Sequence, residues 1–181
     1  MIEIAIDGPA ASGKGALGKK LSDKYNFPYL DTGILYRKVA YELIKNNIKN
    51  SENLEILCCN FAKNLNLKEF KNKNLRTEDV AKLASKIAIF PNLRKILNNK
   101  QKEFSNFNKK QFGGCILDGR DIGTTILPNA DFKFFITASI EVRAKRRLLQ
   151  KNISFLHEND EKCMLQILIN DMKERDRLDS N

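Results

Sequence analysis

A glycine-rich turn between a short apolar run and a helix-forming stretch constrains this chain more than any other feature. Gly8-Pro9-Ala10-Ala11-Ser12-Gly13-Lys14 fits the pattern G-x-x-x-x-G-K. Ile2 to Ile6, just ahead of it, reads as a buried parallel strand. Leu17, Leu21 and Tyr25, just behind it, recur at helical spacing and predict a helix over Lys14 to Tyr25. Strand, turn and helix in that order are the setting the motif requires. The glycines let backbone N–H groups turn inward around a polyphosphate, and the helix N-terminus adds its positive end. Lys14 is placed to reach the terminal phosphates. The expected phosphate cradle is therefore Gly8, Pro9, Ala10, Ala11, Ser12, Gly13, Lys14, Gly15 and Ala16.

The loop departs from its usual form in one place. Gly15 follows the lysine, so the hydroxyl that would sit on Mg²⁺ in a loop ending in Ser or Thr is missing. A glycine here resembles nucleoside monophosphate kinases, in which water mediates the metal contact. Those enzymes usually carry Thr where this chain has Ala16, so one phosphate hydrogen bond is absent, at a cost of about 1–3 kcal/mol.

Strands and helices alternate along the rest of the chain. Pro28 to Asp31 predicts a second strand and Gly33 to Lys45 a helix. Residues 46–76 are polar and irregular, with a helix around Leu54–Leu65. Thr77, followed by Glu78 and Asp79, predicts a capped helix start. Pro91 interrupts that helix, and Leu93 to Phe104 resumes it. After Gly113-Gly114, Cys115 to Leu117 and Phe132 to Ile136 predict two more strands. Ile140–Leu149 and Lys162–Arg177 predict helices, with Met164, Leu168 and Met172 forming a core stripe. The pattern is α/β with a central parallel sheet. At 181 residues the chain makes one domain on a prior of roughly 150 residues each.

Two turns beyond the loop carry chemistry. Asp31-Thr32-Gly33-Ile34-Leu35-Tyr36-Arg37 brings a hydroxyl, a ring and a guanidinium within one helical turn. Tyr36 can pack on a base or sugar, and Arg37 can pair a phosphate. A capped helix with a surface arginine would show the same residues. Asp118-Gly119-Arg120-Asp121 follows the third strand, and ligands of open α/β sheets bind at the C-terminal ends of strands. There Asp118 can hold Mg²⁺ through water, Arg120 can neutralise phosphate, and Asp121 can accept from a base or sugar. A tight glycine turn with a local Asp–Arg pair is the alternative. Arg143, Arg146 and Arg147 lie on one helix. Arg143 and Arg147 share a face, as suits transition-state charge in phosphoryl transfer.

The net charge of +10 admits nucleic acid or a polyanionic small substrate as partner. Nucleic-acid binding needs basic residues interleaved with exposed aromatics, whereas Phe132, Phe134 and Phe135 fall in a strand pattern that reads as core. Cys58, Cys59, Cys115 and Cys163 form no CxxC pair, so they predict buried thiols rather than a metal site. No apolar run approaches the roughly 18 residues of a membrane span. The N-terminus does not read as a signal peptide, and the expected compartment is the cytoplasm.

Taken together, the segments resemble the bacterial cytidylate kinases over nearly the whole chain. IAIDGPAASGKG resembles that family's phosphate loop, YLDTGILYR its acceptor turn, and LASKIAIFPNLR the helix pair after its acceptor insert. ILDGRDIGTTILPNADFKFFITAS is the most specific stretch. RAKRR resembles the lid arginines and KERDRLD the segment closing on the nucleotide. The resemblance implies a P-loop NTPase-type parallel sheet flanked by helices, with a helical NMP-binding insert at roughly residues 34–100 and a small lid at roughly 143–165. It implies transfer of the γ-phosphoryl group of ATP to CMP or dCMP, with Mg²⁺, by a monomer. Lys14, Arg120, Arg143 and Arg147 would be catalytic. Thr32, Tyr36, Arg37, Ser85, Arg94, Arg120, Asp121, Arg175 and Asp179 would bind the acceptor, and Asp118 the metal through water. Family members continue past Asn181 with an arginine, a last strand and a helix. The segment after Leu67 is shorter than their insert. Another acceptor, UMP or AMP, and a remnant that only binds nucleotide are the competing readings.

Overall fold

Alternation along the first strand sets the layers of the molecule. In β1 (Ile2–Asp7), Ile4 and Ile6 pack on one face of the sheet and Ala5 on the other, all buried. Burial on both faces is the mark of a central parallel strand. The computed structural model describes residues 1–48, 52–67, 72–150 and 157–179, without the side chains of Glu158, Arg175, Leu178 and Asp179.

The sheet contains β2 (Tyr29–Asp31), β3 (Gly114–Gly119), β1 and β4 (Phe132–Phe135) in the order β2-β3-β1-β4, and every pairing is parallel. Helix α1 (Lys14–Tyr25) covers one face: Leu17 and Leu21, with Phe27 and Tyr29, pack on Ile4, Ile6 and Ile116. The other face is covered by α2 (Gly33–Lys45), α3 (Leu54–Lys63), α4 (Glu78–Ile87) and α5 (Pro91–Phe112). Their core joins Leu35, Val39, Leu43, Ile87, Leu93 and Leu97 to Leu30 and Leu117 of the sheet. Helices α6 (Ile140–Gln150) and α7 (Glu158–Asp179) share a second cluster of Ala144, Leu148, Leu168 and Met172, to which the loop residue Ala11 adds its methyl group. A short 3₁₀ turn (Lys73–Arg76) precedes α4, and a π-helical turn (Ile122–Ile126) follows β3.

The strand order places the site. The chain leaves β1 toward β2 on one side, returns to β3, then crosses to β4 on the other side. The connections therefore part at the carboxyl ends of β1 and β3, where such sheets open a ligand crevice.

Several expectations need correction. Tyr25 is half-exposed and stacks on Phe27 instead of entering the core, because α1 is already ending there. Thr77 has the extended backbone of an N-cap, yet its hydroxyl donates to Asn74 O of the preceding 3₁₀ turn and caps no α4 N–H. Helix α5 runs on to Phe112 and stops at Gly113, whose φ of 78° lies in the left-handed region. Only Cys58 and Cys115 are buried; Cys59 is half-buried and Cys163 exposed. Phe132, Phe134 and Phe135 are 51%, 41% and 72% exposed. They belong to β4, an edge strand that pairs only with β1 among the described residues.

Candidate nucleotide site

The loop begins where β1 ends. Gly8 has a φ of 145°, and a Cβ there would overlap Ile136 O, which follows β4. Gly13 at 112° and Ala11 at 57° also lie in the left-handed region. Ala11 tolerates that conformation at the cost of some strain, as functional turns often do. Helix α1 then starts at Lys14 with no side-chain cap and no acid in its first turn. Its orphan N–H groups and positive end are left to an anion. From α6, Arg146 Nη1 donates to Ser12 O at 2.8 Å and Ala11 O at 3.4 Å, and Arg143 Nη1 reaches Ala10 O at 3.5 Å. A trans peptide directs its N–H opposite to its carbonyl, so these contacts turn the loop's donors away from α6. Ser12 Oγ is buried without a partner, and an orphaned hydroxyl inside the loop fits a phosphate oxygen. Lys14 Nζ donates to Pro9 O at 3.2 Å, folding back over the turn.

The end of β3 faces this loop. Asp118 is buried, and its Oδ2 accepts from Tyr29 Oη at 2.7 Å. Burial, then the nearby Asp31, push its carboxyl up to about 6, against the pull of the Tyr29 bond, Lys14 and Arg120. Its backbone carbonyl accepts both Thr32 N and Thr32 Oγ1, at 3.0 and 2.7 Å, so the Thr32 proton is committed to joining β2 to β3. Arg120 Nη1 donates to Gly8 O at 2.6 Å and ties this turn to the loop.

The residues expected to bind the acceptor lie alongside. Arg37 Nη1 donates to Leu75 O at 3.1 Å. Burial, then Arg147 and Arg76, hold its charge down, and Asp31 alone opposes them. Arg76 and Arg147 therefore lie near Arg37 and Asp31, a positive neighbourhood suited to a phosphate group. Tyr36 lies near Arg94 and Asp121, and burial pushes its hydroxyl up to about 12. Arg94 Nη2 pairs with Asp121 Oδ2 at 3.0 Å. The Asp–Arg pair is thus long-range, from α5 to the turn, rather than local to it. Ser85 Oγ donates to Ala81 O within its own helix. Arg175 and Asp179 lie on α7, and their side chains fall outside the described part of the structure.

The α6 arginines divide differently from the expected face. Arg143 is 5% exposed and fully engaged, with Nε on Ala138 O and two nitrogens on the Asp176 carboxylate at 3.2 and 2.6 Å. It anchors α6 to α7 beside the loop. Arg147 lies toward Arg37, and Arg146 takes the loop carbonyls. Helical spacing alone grouped 143 with 147, because it contains no information on what each side of α6 meets.

Three participants escaped sequence reasoning. Asp7 accepts Ile122 N at its Oδ1 and Gly123 N at its Oδ2, both at 2.8 Å, and so holds the turn carrying Arg120 and Asp121. An acid closing a buried strand directly before the loop was the available signal. Arg76 and Tyr29 had none, since their roles depend on which residues the fold brings beside them.

A parallel sheet whose first strand feeds a glycine loop into an uncapped helix, faced by a buried aspartate and a cluster of arginines, defines a phosphate-loop protein of the phosphotransferase type. Within that class, the family model "Cytidylate kinase" matches residues 4–181. The cytidylate kinase of Bartonella tribocorum is 42% identical over 176 residues, covering 97% of this chain and 77% of that protein. That of Methylocella silvestris is 42% identical over 178 residues, covering 98% and 77%. That of Mycoplasma genitalium is 39% identical over 184 residues, covering 99% and 81%. The chain belongs to the cytidylate kinase family. Among the described residues, no helix is long and apolar enough to cross a membrane.

Proposed function

We propose that this chain transfers the γ-phosphoryl group of ATP to CMP or dCMP, giving ADP and the nucleoside diphosphate. The observation that supports this most is a continuous line of interacting charges. Lys14 and Asp118 interact, then Asp118 and Asp31, then Asp31 and Arg37, with Arg76 and Arg147 beside it. One end of that line is the polyphosphate loop. The other is the group of arginines around Arg37.

In this reading Gly8 to Ala16 hold ATP, with Lys14 reaching its terminal phosphates. Arg37, Arg76 and Arg147 seat the acceptor phosphate. Tyr36, Ser85, Arg94 and Asp121, with Arg175 and Asp179, line the nucleoside side, and Thr32 shapes its floor. Arg120 and Arg143 hold the loop from its two flanks. The acceptor oxygen is already anionic, so positioning and charge neutralisation carry the reaction and no general base is needed. Asp118 is a buried hard-oxygen donor beside the loop, which suits Mg²⁺ held through water. When bound, Mg²⁺ neutralises charge on the phosphate oxygens. Residues 34–100 would act as the acceptor-binding insert and 143–165 as the lid whose closure keeps water from ATP, with 49–51, 68–71 and 151–156 of those ranges outside the described residues. The chain works as a cytoplasmic monomer on small molecules.

The test is ADP release with ATP, Mg²⁺ and each of CMP, dCMP, UMP and AMP. Turnover confined to CMP and dCMP is expected. Turnover led by AMP or UMP would assign another acceptor. ATP binding without turnover on any acceptor would make the chain a nucleotide-binding remnant.

A further inference from the structure

The loop lacks a hydroxyl at Gly15, and the fold brings another to the same place. A Cβ built on Gly15 would meet Tyr29 Oη at 3.5 Å and Asp118 Oδ2 at 3.7 Å. The space a serine there would enter is therefore bounded by a phenol and a carboxylate, and those two are bonded to each other at 2.7 Å. We propose that Tyr29 is a positioning residue that replaces the missing loop hydroxyl, fixing Asp118 for the metal–nucleotide complex. This rests on the reading of Asp118 given above.

Three features hold the phenol in place. Tyr29 belongs to β2, whose register against β3 sets Tyr29 opposite Ile116 and Asp31 opposite Asp118. Its ring packs in the cluster of Ile4, Ile6 and Ile116 under α1. Gly18, one turn after Gly15 on the same side of α1, makes room for it: a Cβ there would come within 2.5 Å of Tyr29 Cε2. Gly15 and Gly18 together form a trough along the helix in which the ring lies with its hydroxyl at the loop end. A phenol keeps its proton at neutral pH and so donates. It occupies Oδ2 of Asp118 and leaves the other oxygen to metal-bound water.

The experiment compares ATP affinity in EDTA with ATP affinity in Mg²⁺, for the wild-type chain and for Tyr29→Phe. Phenylalanine keeps the ring and removes only the hydroxyl. Metal-free affinity is expected to stay unchanged, while affinity in Mg²⁺ falls by about tenfold, the worth of one hydrogen bond to a charged group. The Mg²⁺ concentration for half-maximal turnover rises in parallel. Gly15→Ser combined with Tyr29→Phe returns a hydroxyl to the site and restores much of the loss. Asp118→Asn tests the pair from its other member: if Tyr29 acts through Asp118, adding Tyr29→Phe to it causes no further loss. Unchanged Mg²⁺ dependence in Tyr29→Phe, equal loss with and without metal, or additive losses in the double variant would overturn the proposal. The affinity comparisons need no turnover, so they hold even for a chain that phosphorylates no acceptor. A wild-type chain whose ATP affinity ignores Mg²⁺ would instead overturn the assignment of Asp118 itself.

Discussion

Replacing Asp118 with asparagine is expected to stabilise the ligand-free protein and at the same time cripple it. The carboxyl is held at about 6 against an ordinary 3.8, mainly by burial. Its folded-state value is raised, so the unfolded chain gives up the proton first. The stability this group confers is complete below about pH 3.8 and is lost as pH rises through 6. At about 1.36 kcal/mol per pH unit, the ionised carboxylate costs the folded state up to roughly 3 kcal/mol at pH 7.5. Asparagine imitates the protonated acid and avoids that cost. Chemical unfolding of the two proteins without nucleotide should show Asp118→Asn more stable by about 1–3 kcal/mol at pH 7.5, with the gain fading toward pH 4. A chain of this size would gain roughly 2–4 °C in melting temperature per kcal/mol. Turnover should fall by about a hundredfold, the rate equivalent of ~3 kcal/mol. No gain at pH 7.5, or a gain that persists unchanged at pH 4, would show that the buried charge is not the cost supposed here.

Asp7→Ala strips the partners from two buried N–H groups, Ile122 and Gly123. It should cost about 2–5 kcal/mol, and Asp7→Asn about half of that; equal unfolding curves for the three proteins would refute the role. Arg143→Ala and Asp176→Ala should each destabilise by about 3 kcal/mol, and the double variant by clearly less than their sum. Additive costs would mean that the pair does not join α6 to α7. Phe135→Lys, on the exposed edge strand, should leave stability within about 0.5 kcal/mol and raise the concentration at which the protein precipitates. Unchanged solubility would show that this edge is not the adhesive surface.

The glycine loop after β1, the succession of elements and the turn from β2 into α2 were legible because each rests on short-range rules. Glycine spacing, apolar run length and helical period all act within a few residues. Helix α1 and helix α2 came out with the boundaries their residues predict, and the stripe of Met164, Leu168 and Met172 does pack as core. Three-dimensional partnership was not legible. That Asp7 serves the turn 115 residues later, that Arg94 rather than a local arginine pairs with Asp121, and that Arg143 is consumed by Asp176 all depend on how distant segments meet.

The same division runs through the site. Sequence alone determined that a glycine loop of the phosphate-binding pattern follows β1 and that Asp118 and Arg120 stand at the end of another strand, because strand-end loops carry their residues wherever the sheet goes. Only the tertiary structure decided which hydroxyl stands beside Gly15 and which arginines gather around Arg37. Strand register and helix packing set those distances, and neither is encoded within any one segment of the chain.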